Sequence, residues 1–72
     1  MELDLHGVKH QDVGSLLDSF IWENMKRKTS YIKIITGNSS KMKEIVYEIV
    51  EEYGFTISDD YGITNYIIIN LV

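Results

Sequence analysis

The residues best suited to chemistry stand near the start of the chain, in Leu3-Asp4-Leu5-His6-Gly7. Leu3 and Leu5 alternate with Asp4 and His6, the period of a half-buried strand, and Gly7 ends the run with a turn signal. Strand side chains repeat every two residues, so the carboxylate of Asp4 and the imidazole of His6 are expected on one strand face. Such a pair can serve as acid and base, hold a divalent ion or orient a phosphate. The structural alternative is that Asp4 caps the turn or pairs with a lysine while His6 bonds a backbone carbonyl. A second punctuated strand end follows in Ile34-Ile35-Thr36-Gly37-Asn38-Ser39-Ser40. It leads into a helix, whose N-terminus presents unpaired N–H groups and partial positive charge, and glycine admits a phosphate close to the backbone. The candidate phosphate contacts are therefore Thr36, Gly37, Asn38, Ser39 and Ser40, with Lys41 and Lys43 in the first helical turn and Gly7 and Lys9 at the first turn. The structural alternative here is an ordinary strand-to-helix turn with a serine cap. With the two strands parallel, both turns lie side by side at the C-terminal edge of the sheet, where open α/β sheets bind ligands.

The spacing sets aside several other chemistries. Neither the G-x-x-x-x-G-K-[ST] of a P-loop nor the G-x-G-x-x-G of a dinucleotide site is present, so a single phosphate, as on a nucleic-acid backbone, fits better than a mononucleotide. No G-x-S-x-G turn offers a serine nucleophile. His6 and His10 are too isolated for a structural zinc site, and without cysteine there is no disulfide or thiolate ligand. Lys26-Arg27-Lys28, followed by Tyr31 and Lys33, fits a track for a nucleic-acid backbone with Tyr31 stacking on a base. The structural alternative is a helix C-terminus, commonly basic for its dipole alone.

These residues need elements to hold them. Val13, Leu16, Leu17, Phe20 and Ile21 follow helical spacing and predict a helix from about His10 to Met25, with Trp22 at the edge of the core. Tyr31–Thr36 is rich in β-branched and aromatic residues and predicts the second strand. One intervening helix makes the unit βαβ, hence parallel and right-handed. Met42, Ile45, Val46, Ile49, Val50 and Tyr53 mark a second helix, capped by Ser39 or Ser40 and ended by Gly54. Phe55–Ser58 predicts a short strand, Asp59-Asp60-Tyr61-Gly62 a turn, and Asn65–Val72 a last, antiparallel strand. The run Tyr66-Ile67-Ile68-Ile69 predicts that this strand is central or covered on both faces. The expected architecture is α+β: a βαβαββ two-layer α/β sandwich with a mixed four-stranded sheet and two helices.

At 72 residues the chain fits one domain, residues 1–72, with a core too small for a large internal cavity. The first residues do not read as a signal peptide and the apolar segments are too short for a membrane span, so no membrane and a cytoplasmic setting are expected. The net charge of −4 is unevenly spread. Seven Lys and Arg against five acids up to Lys43 leave about +2, whereas the remainder holds six acids and no Lys or Arg. That asymmetry reads as a binding face or as a solvated acidic helix beside scattered lysines.

Leu3-Asp4-Leu5-His6-Gly7 resembles the opening LDLHG motif of the Smr (small MutS-related) domain family. Asp12-Val13 stands where that family has an acidic–apolar pair, Tyr31–Gly37 is similar to its [HT]-G-x-G strand end, and Gly62–Val72 is similar to its closing turn and strand. The resemblance spans essentially the whole chain. It implies a βαβαββ domain that binds DNA or RNA and, as in many members, an endonuclease that nicks or cleaves it. It assigns the hydrolytic chemistry to Asp4 and His6 and the phosphate to Thr36 and Gly37. For a hydrolytic step using Asp4 and His6 as metal-holding groups, Mg²⁺ or Mn²⁺ is the candidate cofactor. Ser39 stands where the second motif glycine is expected and would obstruct the backbone there if φ were positive. Asn38 stands where a basic residue is common. The alternative functions are a degenerate nuclease fold that only binds, and a non-catalytic protein-interaction module. In the latter the apolar last strand offers an edge for self-association or for a partner strand.

Overall fold

The computed structural model describes residues 1–58 and 65–71. The elements are β1 (Glu2–Asp4), α1 (His10–Lys26), β2 (Tyr31–Ile35), α2 (Ser40–Tyr53), β3 (Thr56–Ser58) and β4 (Tyr66–Asn70). They form a mixed four-stranded sheet in the order β1-β2-β4-β3 with two helices, the α+β arrangement expected. β1 runs parallel to β2, with Leu3 opposite Ile34, and β4 is antiparallel to both β2 and β3. The expected turn at residues 59–62 and the end of the last strand at residue 72 lie outside the described residues.

In α1 the buried residues are Val13, Leu17, Ile21 and Asn24, a stripe rotated from the expected one. Phe20 is half-buried and Leu16 exposed. Trp22, expected at the core edge, is 57% exposed. At about 100° per residue it falls on the side of the helix opposite Val13. The helix ends in a Schellman motif, in which the Lys28 N–H donates to Met25 O and the Thr29 N–H to Asn24 O. Lys28 takes the left-handed position, with φ of 57°. In α2 the Ser39 hydroxyl accepts the Met42 N–H at 3.1 Å, and Gly54 closes the other end, as expected. The Tyr53 hydroxyl donates to Asp18 Oδ1 at 2.9 Å and ties α2 to α1.

Both parallel crossovers, β1 to β2 and β2 to β3, advance in the same direction across the sheet. Right-handed connections then put both helices on one face, and α1 packs against α2. Leu5, Ile32, Ile34, Ile67 and Ile69 are fully buried under them. The alternate residues Tyr31, Lys33, Ile35, Tyr66, Ile68 and Asn70 line an open face and are half-buried or exposed. β4 is therefore central, as one of the two expectations had it, but covered on one face. It is hydrogen-bonded on both sides, so the self-pairing edge expected of the last strand is not available over Tyr66–Asn70. The edges belong instead to β1 and β3, three residues each, lengths that resist edge-to-edge association. No helix among the described residues is long and apolar enough to cross a membrane.

Candidate nucleic-acid interface

The two glycine turns meet where β1 and β2 end. β1 stops at Asp4, but the Leu5 N–H still donates to Ile35 O at 2.8 Å, so the parallel ladder carries the chain up to His6. The Val8 N–H donates to Leu5 O at 3.0 Å, closing a tight turn over His6 and Gly7. Gly7 has φ of 81°, as the third residue of a type II turn requires. Asp4 Oδ1 accepts the His6 N–H at 2.9 Å. The expectation of Asp4 and His6 as paired side chains on one strand face is thereby corrected, because the strand ends before His6 and the carboxylate is turned onto the loop backbone. This is the capping alternative.

At the second turn the carbonyl of Asn65 accepts the N–H groups of Thr36 and Gly37 at 2.9 and 3.0 Å. The Thr36 hydroxyl lies 3.0 Å from Gly37 O and 3.3 Å from Asn65 O. Thr36 is only 2% exposed, so this expected phosphate contact supports the turn from beneath. It shares the parity of Ile32 and Ile34, the core-facing residues of β2. Gly37 has φ of 70°, and a Cβ built on it would stand 3.1 Å from His6 Cδ2. The imidazole thus lies against Gly37, and the two motifs, more than thirty residues apart in sequence, form one surface.

Ser39 has φ of −77° and ψ of 114°, extended backbone open to any residue, so its side chain does not obstruct the turn. Its hydroxyl serves as the helix cap. The N–H groups of Ser39, Ser40 and Lys41 have no acceptor within the helix, as at any helix start. Lys41 and Lys9 are exposed at this edge. Lys43, expected beside them, is 7% exposed and belongs to the buried stripe of α2 with Met42, Val46 and Val50. An open depression of about 590 Å³, lined by Val8, Lys9, His10 and Gln11, adjoins the first turn.

Charge is laid out by element direction. Lys26, Arg27 and Lys28 lie at the far end of α1, roughly 25 Å of helix from His10. They and the glycine turns therefore occupy opposite ends of the sheet. Glu48, Glu51 and Glu52 line the exposed side of α2 away from its N-terminus, and Glu44 stands one turn in from that end. Among the described residues no three His, Cys, Asp or Glu side chains converge to hold a metal ion, so a donor set for Mg²⁺ or Mn²⁺ is not assembled from these side chains.

Asn65 and Tyr66 also belong to this edge, although neither stands in a chemistry-bearing motif of the sequence. The signal for them is the β2–β4 register, which sets Tyr66 opposite Ile35. Comparison with protein-family models, with curated proteins and with solved structures finds no match.

Proposed function

We propose that this chain is an Smr-like, cytoplasmic nucleic-acid-binding domain that takes a backbone phosphate at the edge formed by His6, Gly7 and Gly37–Lys41. The observation that carries the reading is the contact of the His6 ring with Gly37. It joins the LDLHG and TGNS turns at the start of α2, where the amides and the exposed Lys9 and Lys41 favour an anion. In the hydrolytic form of the proposal, His6 is the acid/base group and Asp4 holds the turn that presents it. The geometry supports phosphate binding more strongly than hydrolysis, because the Asp4 carboxylate is already engaged by the His6 N–H of the loop.

The test is a titration of labelled single-stranded, duplex and branched DNA and RNA at low salt, with and without Mg²⁺ or Mn²⁺, reading binding and scission in the same samples. Lys41→Ala should lower the slope of log affinity against log salt by about one counterion. His6→Ala should weaken binding and abolish any scission. Salt-sensitive binding without scission identifies the degenerate, binding-only domain. Absence of binding to every nucleic acid overturns the reading and favours a protein-interaction module.

A further inference from the structure

The open face of the sheet begins at the phosphate edge and runs away from it along β2 and β4. Its first row is Asp4, Ile35 and Tyr66, its second Glu2, Lys33, Ile68 and Ser58, and its third Tyr31, Asn70 and Thr56. Tyr66 follows directly on Asn65, which holds the Gly37 turn, and Tyr31 starts β2 just beyond the Lys26–Lys28 corner. Tyr31 is 56% exposed. Between the two rings, Lys33 Nζ sits 4.3 Å from the Tyr66 ring centroid and 3.9 Å from Glu2 Oε2. The rings are separated by four residue steps, about 13 Å along the strands.

We infer that a single strand of nucleic acid lies across this face along β2 and β4, its bases on Tyr66 and Tyr31 and its backbone running from the Gly37 turn past Lys33 to Lys26–Lys28. The inference rests on the nucleic-acid reading above and deepens it to a substrate class. Stacking on exposed aromatics requires unpaired bases, because duplex bases offer no free ring face. Charge selects the same path. Among the described residues Lys33 is the one charged side chain on β2, β3 and β4, and cations stand at both ends. The exposed acids outside β1 among the described residues are Asp12, Asp18, Glu23, Glu44, Glu48, Glu51 and Glu52, and they belong to the helical layer on the opposite side. Glu2 and Asp4 confine the strand to the inner strands by repelling it from β1. A second copy of the chain fits less well, since Lys33, Asn70, Thr56 and Ser58 interrupt the apolar area that a sheet-on-sheet dimer would bury. A base arriving on Tyr66 displaces the Lys33 ammonium from the ring, and a phosphate then competes with Glu2 for it.

The test is fluorescence anisotropy on a labelled single strand of about ten nucleotides, with unlabelled duplex as competitor. The intact chain is compared with Tyr31→Ala, Tyr31→Phe, Tyr66→Ala, Tyr66→Phe and Lys41→Ala. Each tyrosine-to-alanine variant should weaken single-strand binding by about five- to one-hundred-fold, the phenylalanine variants should restore it, and duplex should compete poorly. Should Tyr66→Ala disturb folding by circular dichroism, the exposed Tyr31 carries the test alone. Binding that falls with Lys41→Ala but is indifferent to Tyr31→Ala overturns this inference and leaves the phosphate edge standing. Loss of all binding, with concentration-dependent sedimentation relieved by Tyr31→Ala, overturns both and assigns the face to a second copy.

Discussion

Gly37→Ala is the substitution that most sharply separates turn geometry from the junction with His6. Two costs are expected. At φ of 70° an L residue enters the left-handed region, which costs roughly 1–2 kcal/mol. The new Cβ would also stand 3.1 Å from His6 Cδ2, so the imidazole must move by a few tenths of an ångström. Gly7→Ala supplies the control, because φ is 81° there but nothing lies within 4 Å of the added carbon. For a chain this size, whose total stability is of order 4–11 kcal/mol, a loss of 1–2 kcal/mol shifts the urea midpoint by about 1–2 M at a slope near 1 kcal/mol/M. Gly37→Ala should cost more than Gly7→Ala. The excess should shrink in a His6→Ala background, giving a coupling of about 0.5 kcal/mol or more in a double-mutant cycle. Equal costs for the two glycines, or additive effects of His6→Ala and Gly37→Ala, would refute the claim that the imidazole packs on the second turn.

Three further outcomes follow from local geometry. Ser39→Ala removes the acceptor of the Met42 N–H and should cost about 1 kcal/mol, read by urea unfolding. Lys28→Gly relieves a non-glycine residue at φ of 57° in the closure of α1 and should raise the thermal midpoint, gaining roughly 0.5–1 kcal/mol. The Tyr53 hydroxyl titrates above its ordinary value of 10.0, through burial first, then its hydrogen bond to Asp18 and the negative charges of Asp18 and Glu52. A raised folded-state pKa means that the neutral phenol stabilises the fold below that ordinary value, and the contribution is lost as pH rises above it. Urea unfolding between about pH 9 and pH 11 should therefore show a shallower alkaline loss of stability in Tyr53→Phe.

The elements that local rules control were legible in the sequence. Ser39 and Gly54 bracket α2 because a cap acceptor and a left-handed closer are needed whatever surrounds them. The parallel pairing of β1 and β2 follows from the single helix between them. Positions decided by tertiary packing were less legible. Thr36 reads as a polar turn residue, yet its parity with Ile32 and Ile34 carries it under the helices. Lys43 reads as a first-turn cation but falls on the buried stripe of α2. The cationic stretch from Lys9 to Lys43 is contiguous only in sequence, because α1 carries Lys26–Lys28 to the opposite end of the sheet from the glycine turns. The contact between His6 and Gly37 has no local signature, since it depends on the register that sets Asp4 beside Ile35.

The central claim, that nucleic-acid backbone binds where the two glycine turns meet, is tested most directly by mapping amide shifts of the isotopically labelled protein during titration with a single-stranded oligonucleotide. The account expects the largest changes at His6–Lys9 and Gly37–Lys41, diminished by added salt, with the acidic side of α2 unmoved. Changes confined to α2 beyond Glu44, or no changes at any residue, would contradict it.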